Sequence, residues 1–151
     1  MRALAFLFVA ACGGASGQAP SSDTPPFVVV EPQDARLAMA AQDLKGRIGH
    51  EVAVDVDASL LKEHASHLSI ILADALETIA RGIERARADR PAVVLRACSS
   101  IATLKVELDD RIREPTAYVD AENGVLLLRV PSGVTYFATD ESVATAFVNA
   151  E

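Results

Sequence analysis

From residue 27 onward the chain switches repeatedly between apolar spacing that suits a strand and apolar spacing that suits a helix. Phe27-Val28-Val29-Val30 is a continuous apolar run bounded by Pro26 and Pro32, the pattern of a short strand buried on both faces. Leu37, Ala40, Ala41, Leu44 and Ile48 then recur at helical spacing, and Gly49 can adopt the left-handed conformation that ends a helix, so a helix of about four turns is predicted. From Glu51 the pattern becomes strict alternation, with Val52, Val54 and Val56 facing one way and Glu51, Ala53, Asp55 and Asp57 the other. Asp57 or Ser59 can cap the next helix, whose stripe runs through Leu61, Ala65, Leu68, Leu72, Ala75, Ile79, Ile83 and Ala86. The pattern reads as one long helix from about Ser59 to Arg87, ending before Pro91, with Arg81, Arg85 and Arg87 toward the negative end of its dipole. Glu63 lies off the stripe, so truncating it to alanine is expected to be nearly silent.

Beyond Pro91 the run Ala92 to Ala97 reads as a strand, and Leu104 to Asp109 as another, with Leu104, Val106 and Leu108 on one face. Ala117 to Asp120 and Val125 to Val130 flank Ala121-Glu122-Asn123-Gly124, and Asn-Gly between strand-like runs is a hairpin signal. A last short helix follows Thr139. Two strands joined through one helix are expected to lie parallel with a right-handed crossover, and the hairpin must be antiparallel. These elements predict a single α/β domain over residues 27–151. It is a two-layer sandwich with a mixed sheet of about five strands, helices on one face, a partly open polar face and an antiparallel hairpin near the C-terminus.

Composition narrows the partners. Half of the 151 residues are hydrophobic, yet Trp is absent and aromatics make up 5%, so the core is built from Ala, Val, Leu and Ile. A formal charge of −7, with basic residues that form no stripe, argues against nucleic acid, whose binding rests on clustered cations. It argues equally against docking on anionic lipid headgroups by charge.

The first residues supply another route to a membrane. Met1 and Arg2 precede nine apolar residues, Ala3 to Ala11, and then Cys12. A spanning helix needs about 20 apolar residues, so this run is instead of signal-peptide length. Val9-Ala10-Ala11-Cys12 resembles the lipobox of bacterial lipoprotein precursors, and a Gly-, Ser- and Pro-rich stretch from Gly13 to Pro26 follows it as a tether. The resemblance implies removal of residues 1–11 as a signal peptide. It further implies a diacylglyceryl group on the Cys12 sulfur, acylation of the new amino terminus and residence in the bacterial cell envelope. Gly13 rather than Asp after the cysteine implies the outer membrane where the source has one. The other reading is an ordinary secretory signal cut at Gly17-Gln18-Ala19, leaving a soluble secreted or periplasmic protein, although Pro20 follows that cut.

Candidate chemistry in the folded part is sparse. In Glu63-His64-Ala65-Ser66-His67, two histidines three apart on a helix can reach one Zn²⁺, and His50, Asp55 or Asp57 can complete a site if the fold brings them near. The order is not the His-Glu-x-x-His of metalloproteases, and two partly exposed histidines flanking an apolar stripe explain it as well. Glu51, Asp55 and Asp57 share a strand face that can hold a cation, but a solvated row paired across strands with Lys105 or Arg129 is the plainer reading. Cys98 follows an apolar run without a neighbouring histidine and reads as a small buried hydrophobe. No phosphate loop or nucleophile elbow occurs. The sequence therefore points to a non-enzymatic envelope lipoprotein without a cofactor, its domain a binding or interaction module for an envelope protein or small ligand. A metal-dependent hydrolase using His64 and His67 is the alternative, and a module of a longer assembly a third.

Overall fold

The computed structural model describes residues 27–150; the signal segment, Cys12 and the stretch to Pro26 lie outside the described residues, as does Glu151. Five strands form one mixed sheet in the order β1-β2-β3-β5-β4: β1 (Phe27–Val29), β2 (Ala53–Asp57), β3 (Thr103–Leu108), β4 (Thr116–Asp120) and β5 (Val125–Val130). β2, β3 and β5 run parallel at the centre, while β1 and β4 are antiparallel edges. Five helices accompany them: α1 (Ala35–Ile48), α2 (Ala58–Glu63), α3 (Leu68–Asp89), α4 (Pro91–Ser100) and α5 (Asp140–Val148).

The alternation in the central strands fixes which face is covered. Leu104, Val106, Leu126 and Leu128 are at most 1% exposed and meet the helices, whereas Lys105, Glu107, Leu127 and Arg129 point to the open side. On that side Asp55, Lys105, Leu127 and Tyr118 stand in one row across four strands. Lys105 Nζ lies 5.2 Å from the Phe27 ring centre, and Glu107 pairs with Arg129 at 3.6 Å. On the covered side α3 is the central helix, packed between α1 and α5, and its Leu72, Leu76, Ile79 and Ile83 are fully buried. Asp34 caps α1 by accepting the Leu37 N–H at 2.9 Å, and Gly49 ends that helix at φ 101°. Thr139 and Ser142 form a capping box at the start of α5.

The β4–β5 hairpin closes over Asn123-Gly124. The Asp120 carboxylate accepts the Asn123 backbone and side-chain N–H groups at 3.0 and 2.8 Å, and Gly124 takes φ 66°. The Gly124 carbonyl in turn accepts the N–H groups of Ala102 and Thr103, at 2.8 and 3.1 Å, from the start of β3.

Three expectations are corrected. Residues 92–97 belong to helix α4, not to a strand: Pro91 occupies the first helical turn, where its missing N–H costs nothing, and Val94, Ala97, Cys98 and Ile101 are buried at helical spacing. The expected long helix is two helices, α2 and α3, separated by His64-Ala65-Ser66-His67: the His64 N–H closes α2 on the Leu60 carbonyl, and the His67 carbonyl opens α3 by accepting the Ile70 and Ile71 N–H groups. β1 runs antiparallel to β2 rather than parallel, and it is an exposed edge, with Val28 and Val29 44% and 64% exposed. Only three residues pair before Pro32, and α1 leaves and returns at the same end of β2, so Glu31 and Val52 line one hollow.

Candidate functional site

The shortness of β1 creates the main hollow of the domain. After the Val30 N–H reaches the Val54 carbonyl at 2.8 Å, the chain arches through Pro32 to the Asp34 cap and leaves the start of β2 paired with β3 on one side and without a strand on the other. Below the arch lies a cavity of about 470 Å³ walled by Val30, Leu37, Val52, Val54, Leu72 and Leu76. A second hollow of about 350 Å³ shares Val29, Val30, Glu31, Leu37 and Leu72 with it and continues toward Leu61, Ala65 and Leu68. Together they form one cleft of a size that holds small ligands, about 300 to 1,000 Å³, with mainly aliphatic walls in the larger hollow and mixed polar and apolar walls in the smaller. Its polar groups are Glu31 and Gln33 on the arch, Ser66 and Ser69 near the start of α3, and Glu51 at the far mouth. Lys45 bonds Glu51 at 2.9 Å, and this ammonium holds the Glu51 carboxyl below the usual carboxylate range.

The histidines are elsewhere and apart in role. His64 ends α2 with its ring edge-on to Phe137, centres 5.5 Å apart, and its side chain is only 10% exposed. Its Nε2 is buried without a hydrogen-bond partner, 3.7 Å from a Glu63 carboxylate oxygen that instead accepts the Gly133 N–H at 2.5 Å. His67 is an exposed residue before α3, so the helix breaks between the two histidines and does not give them a common face. His50 Nε2 bonds the Ile101 carbonyl at 2.5 Å.

The acidic row also has structural partners. Asp57 is 4% exposed and caps α2 through the Ser59 N–H at 2.7 Å; Asp55 faces Lys105 across the pair; and Arg129 pairs with Glu107 rather than with β2. Among the described residues, no three His, Cys, Asp or Glu side chains gather as a metal site. Cys98 is fully buried on α4, and burial pushes its thiol pKa up against the weaker opposing effect of Arg87.

No protein-family model, curated protein or solved structure matches this chain.

The cleft escaped the sequence because its walls come from β1, α1, β2 and α3. Ala41, read from the sequence as part of the apolar stripe of α1, is only half-buried and lines the hollow. Among the described residues no helix is long and apolar enough to cross a membrane.

Proposed function

We propose that this chain is a bacterial envelope lipoprotein held at the outer membrane through lipid on Cys12, and that its α/β domain is a non-enzymatic binding module. One observation carries the address: Cys12 stands at the end of a charged-then-apolar segment and at the start of a tether without apolar runs. A chain of formal charge −7 has no net attraction to anionic lipid, so a membrane address calls for a different hold, and the acyl groups that the lipobox resemblance implies would supply it. The binding role draws support from the cleft beneath β1, which is pocket-sized and mainly aliphatic in its larger hollow.

The test is mass spectrometry of the N-terminal peptide from a host that processes lipoproteins. The expected peptide starts at Cys12 and carries two or three acyl chains, and Cys12→Ser moves the protein out of the detergent phase. Partition of the acylated chain into vesicles should be no stronger for anionic than for neutral lipid. An unmodified peptide starting at Gln18 or Pro20 would leave secretion as the only address.

A further inference from the structure

We infer that the cleft beneath β1 takes up an acyl chain carried on Cys12, an inference that rests on the lipoprotein reading above. The lining selects the ligand class. Val30, Leu37, Val52, Val54, Leu72 and Leu76 present aliphatic surface, and no aromatic ring is among the described residues of either hollow, so nothing there stacks on a sugar or a base. A flexible hydrocarbon chain suits such walls.

Charge then separates the possible sources of that chain. Glu31 stands at the cleft without an ion-pair partner among the described residues, Glu51 at its mouth is paired with Lys45, and no cation is among the described residues that line the two hollows. A free fatty acid or a phospholipid would bring its own negative charge against these carboxylates. Acyl chains joined to the cysteine nitrogen as an amide, or as esters to a glycerol held on its sulfur by a thioether, bring none.

Reach favours the same source. The strand that walls the cleft is also where the tether arrives, and the 14 residues from Gly13 to Pro26 separate Cys12 from Phe27. Covalent geometry keeps Cys12 within about 50 Å of Phe27, so uptake of its acyl chain would be an intramolecular event. Val28, 44% exposed and on the helix side of β1 with Val56, supplies apolar surface at the edge of the cleft. Because stable anchoring takes more than one acyl chain, withdrawal of a chain into the cleft weakens the hold on the bilayer.

Hydrogen–deuterium exchange of the full mature chain in a zwitterionic detergent tests this, with Cys12→Ser as the lipid-free comparison. Mass spectrometry first establishes acylation. In the acylated protein, peptides covering Val29 to Leu37 and Val52 to Val54 should exchange at least about tenfold more slowly than in Cys12→Ser, while those covering β4 and β5 should match. Ala41→Phe fills the cavity from α1. It should bring exchange in acylated protein to the Cys12→Ser rate and raise partition into phosphatidylcholine vesicles severalfold. If that variant does not fold, the comparison of native and Cys12→Ser chains decides alone. Acylated protein whose cleft peptides exchange at the Cys12→Ser rate overturns this inference and leaves the lipoprotein reading standing; an unacylated N-terminus overturns both.

Discussion

The Glu63 carboxylate accepts the backbone N–H of Gly133 at 2.5 Å across 70 residues of sequence, tying the end of α2 to the segment between β5 and α5. Gly133 stands at φ 79°, so the bond fixes a bend that favours glycine. Phe137 of the same segment packs on His64, the residue after Glu63. A position that the helical stripe marks as mere surface is therefore a long-range tie.

Glu63→Ala should lower stability by about 1 kcal/mol, the usual worth of one such bond, instead of being silent. Thermal melts of the two proteins should differ by a few degrees. Glu63→Gln retains an acceptor and should recover most of the loss. Equal melting of Glu63→Ala and native protein would show that water replaces the carboxylate at no cost.

Gly82 marks the closest approach of α3 to α5. A Cβ built there would lie 2.6 Å from two side-chain carbons of Val143 and 3.2 Å from the Asp140 carbonyl oxygen. Alanine is the better helix former by about 1 kcal/mol. Val143 is fully buried and branched at the contact, so it has no free rotamer to turn into, and the clash should win. Gly82→Ala is expected to destabilise by about 1 to 3 kcal/mol in urea unfolding. A raised urea midpoint would mean that α5 shifts freely on α3.

Asp109, at the end of β3, accepts hydrogen bonds from the Arg111 backbone N–H and from both arms of its guanidinium, at 3.1, 2.8 and 2.9 Å. The Arg111 contacts hold its carboxyl at about 2, against an ordinary 3.8. A carboxyl depressed on folding stabilises the protein at any pH above its unfolded value, and that contribution drains away as pH falls through the interval down to the folded value. Urea midpoints of the native chain should therefore drop between pH 4 and pH 2 more steeply than those of Arg111→Gln. Parallel profiles would show that the pair has no part in acid unfolding.

In the full chain carrying Cys12→Ser, Cys98 is the sole thiol. Buried on α4 with its pKa pushed up by desolvation, it should react with a disulfide reagent at pH 8 about two orders of magnitude more slowly than in urea-unfolded chain. Rapid labelling of the folded protein would mean that α4 opens readily.

Local signals explain what the sequence made visible. The stripe Leu37, Ala40, Leu44 and Ile48 is buried as its spacing requires, the alternation in β3 and β5 sends Leu104, Val106, Leu126 and Leu128 into the core, and Asn123-Gly124 closes the hairpin. Competition between local signals hid α4. Val93 and Val94 favour a strand, but Pro91 opens a helix and Val94, Ala97, Cys98 and Ile101 share a helical face. The break at residues 64–67 goes with the contacts of Glu63 to Gly133 and of His64 to Phe137, and the direction of β1 with its pairing to β2, none of which a short window contains. The cleft is harder still to foresee, since Leu37, Val54 and Leu72 become neighbours only through tertiary packing.

Gly124 does more than turn the hairpin. Its carbonyl receives the N–H groups of Ala102 and Thr103, and a Cβ at this position would lie 2.6 Å from the Ser100 carbonyl oxygen. Parallel strands have no tight turn of their own to set their alignment. The tip of the β4–β5 hairpin acts as the end stop for β5 against β3: sliding the strand by two residues would unseat both donors and drive the turn into the end of α4. One glycine thus sets the frame of the parallel sheet as well as the bend of the antiparallel one.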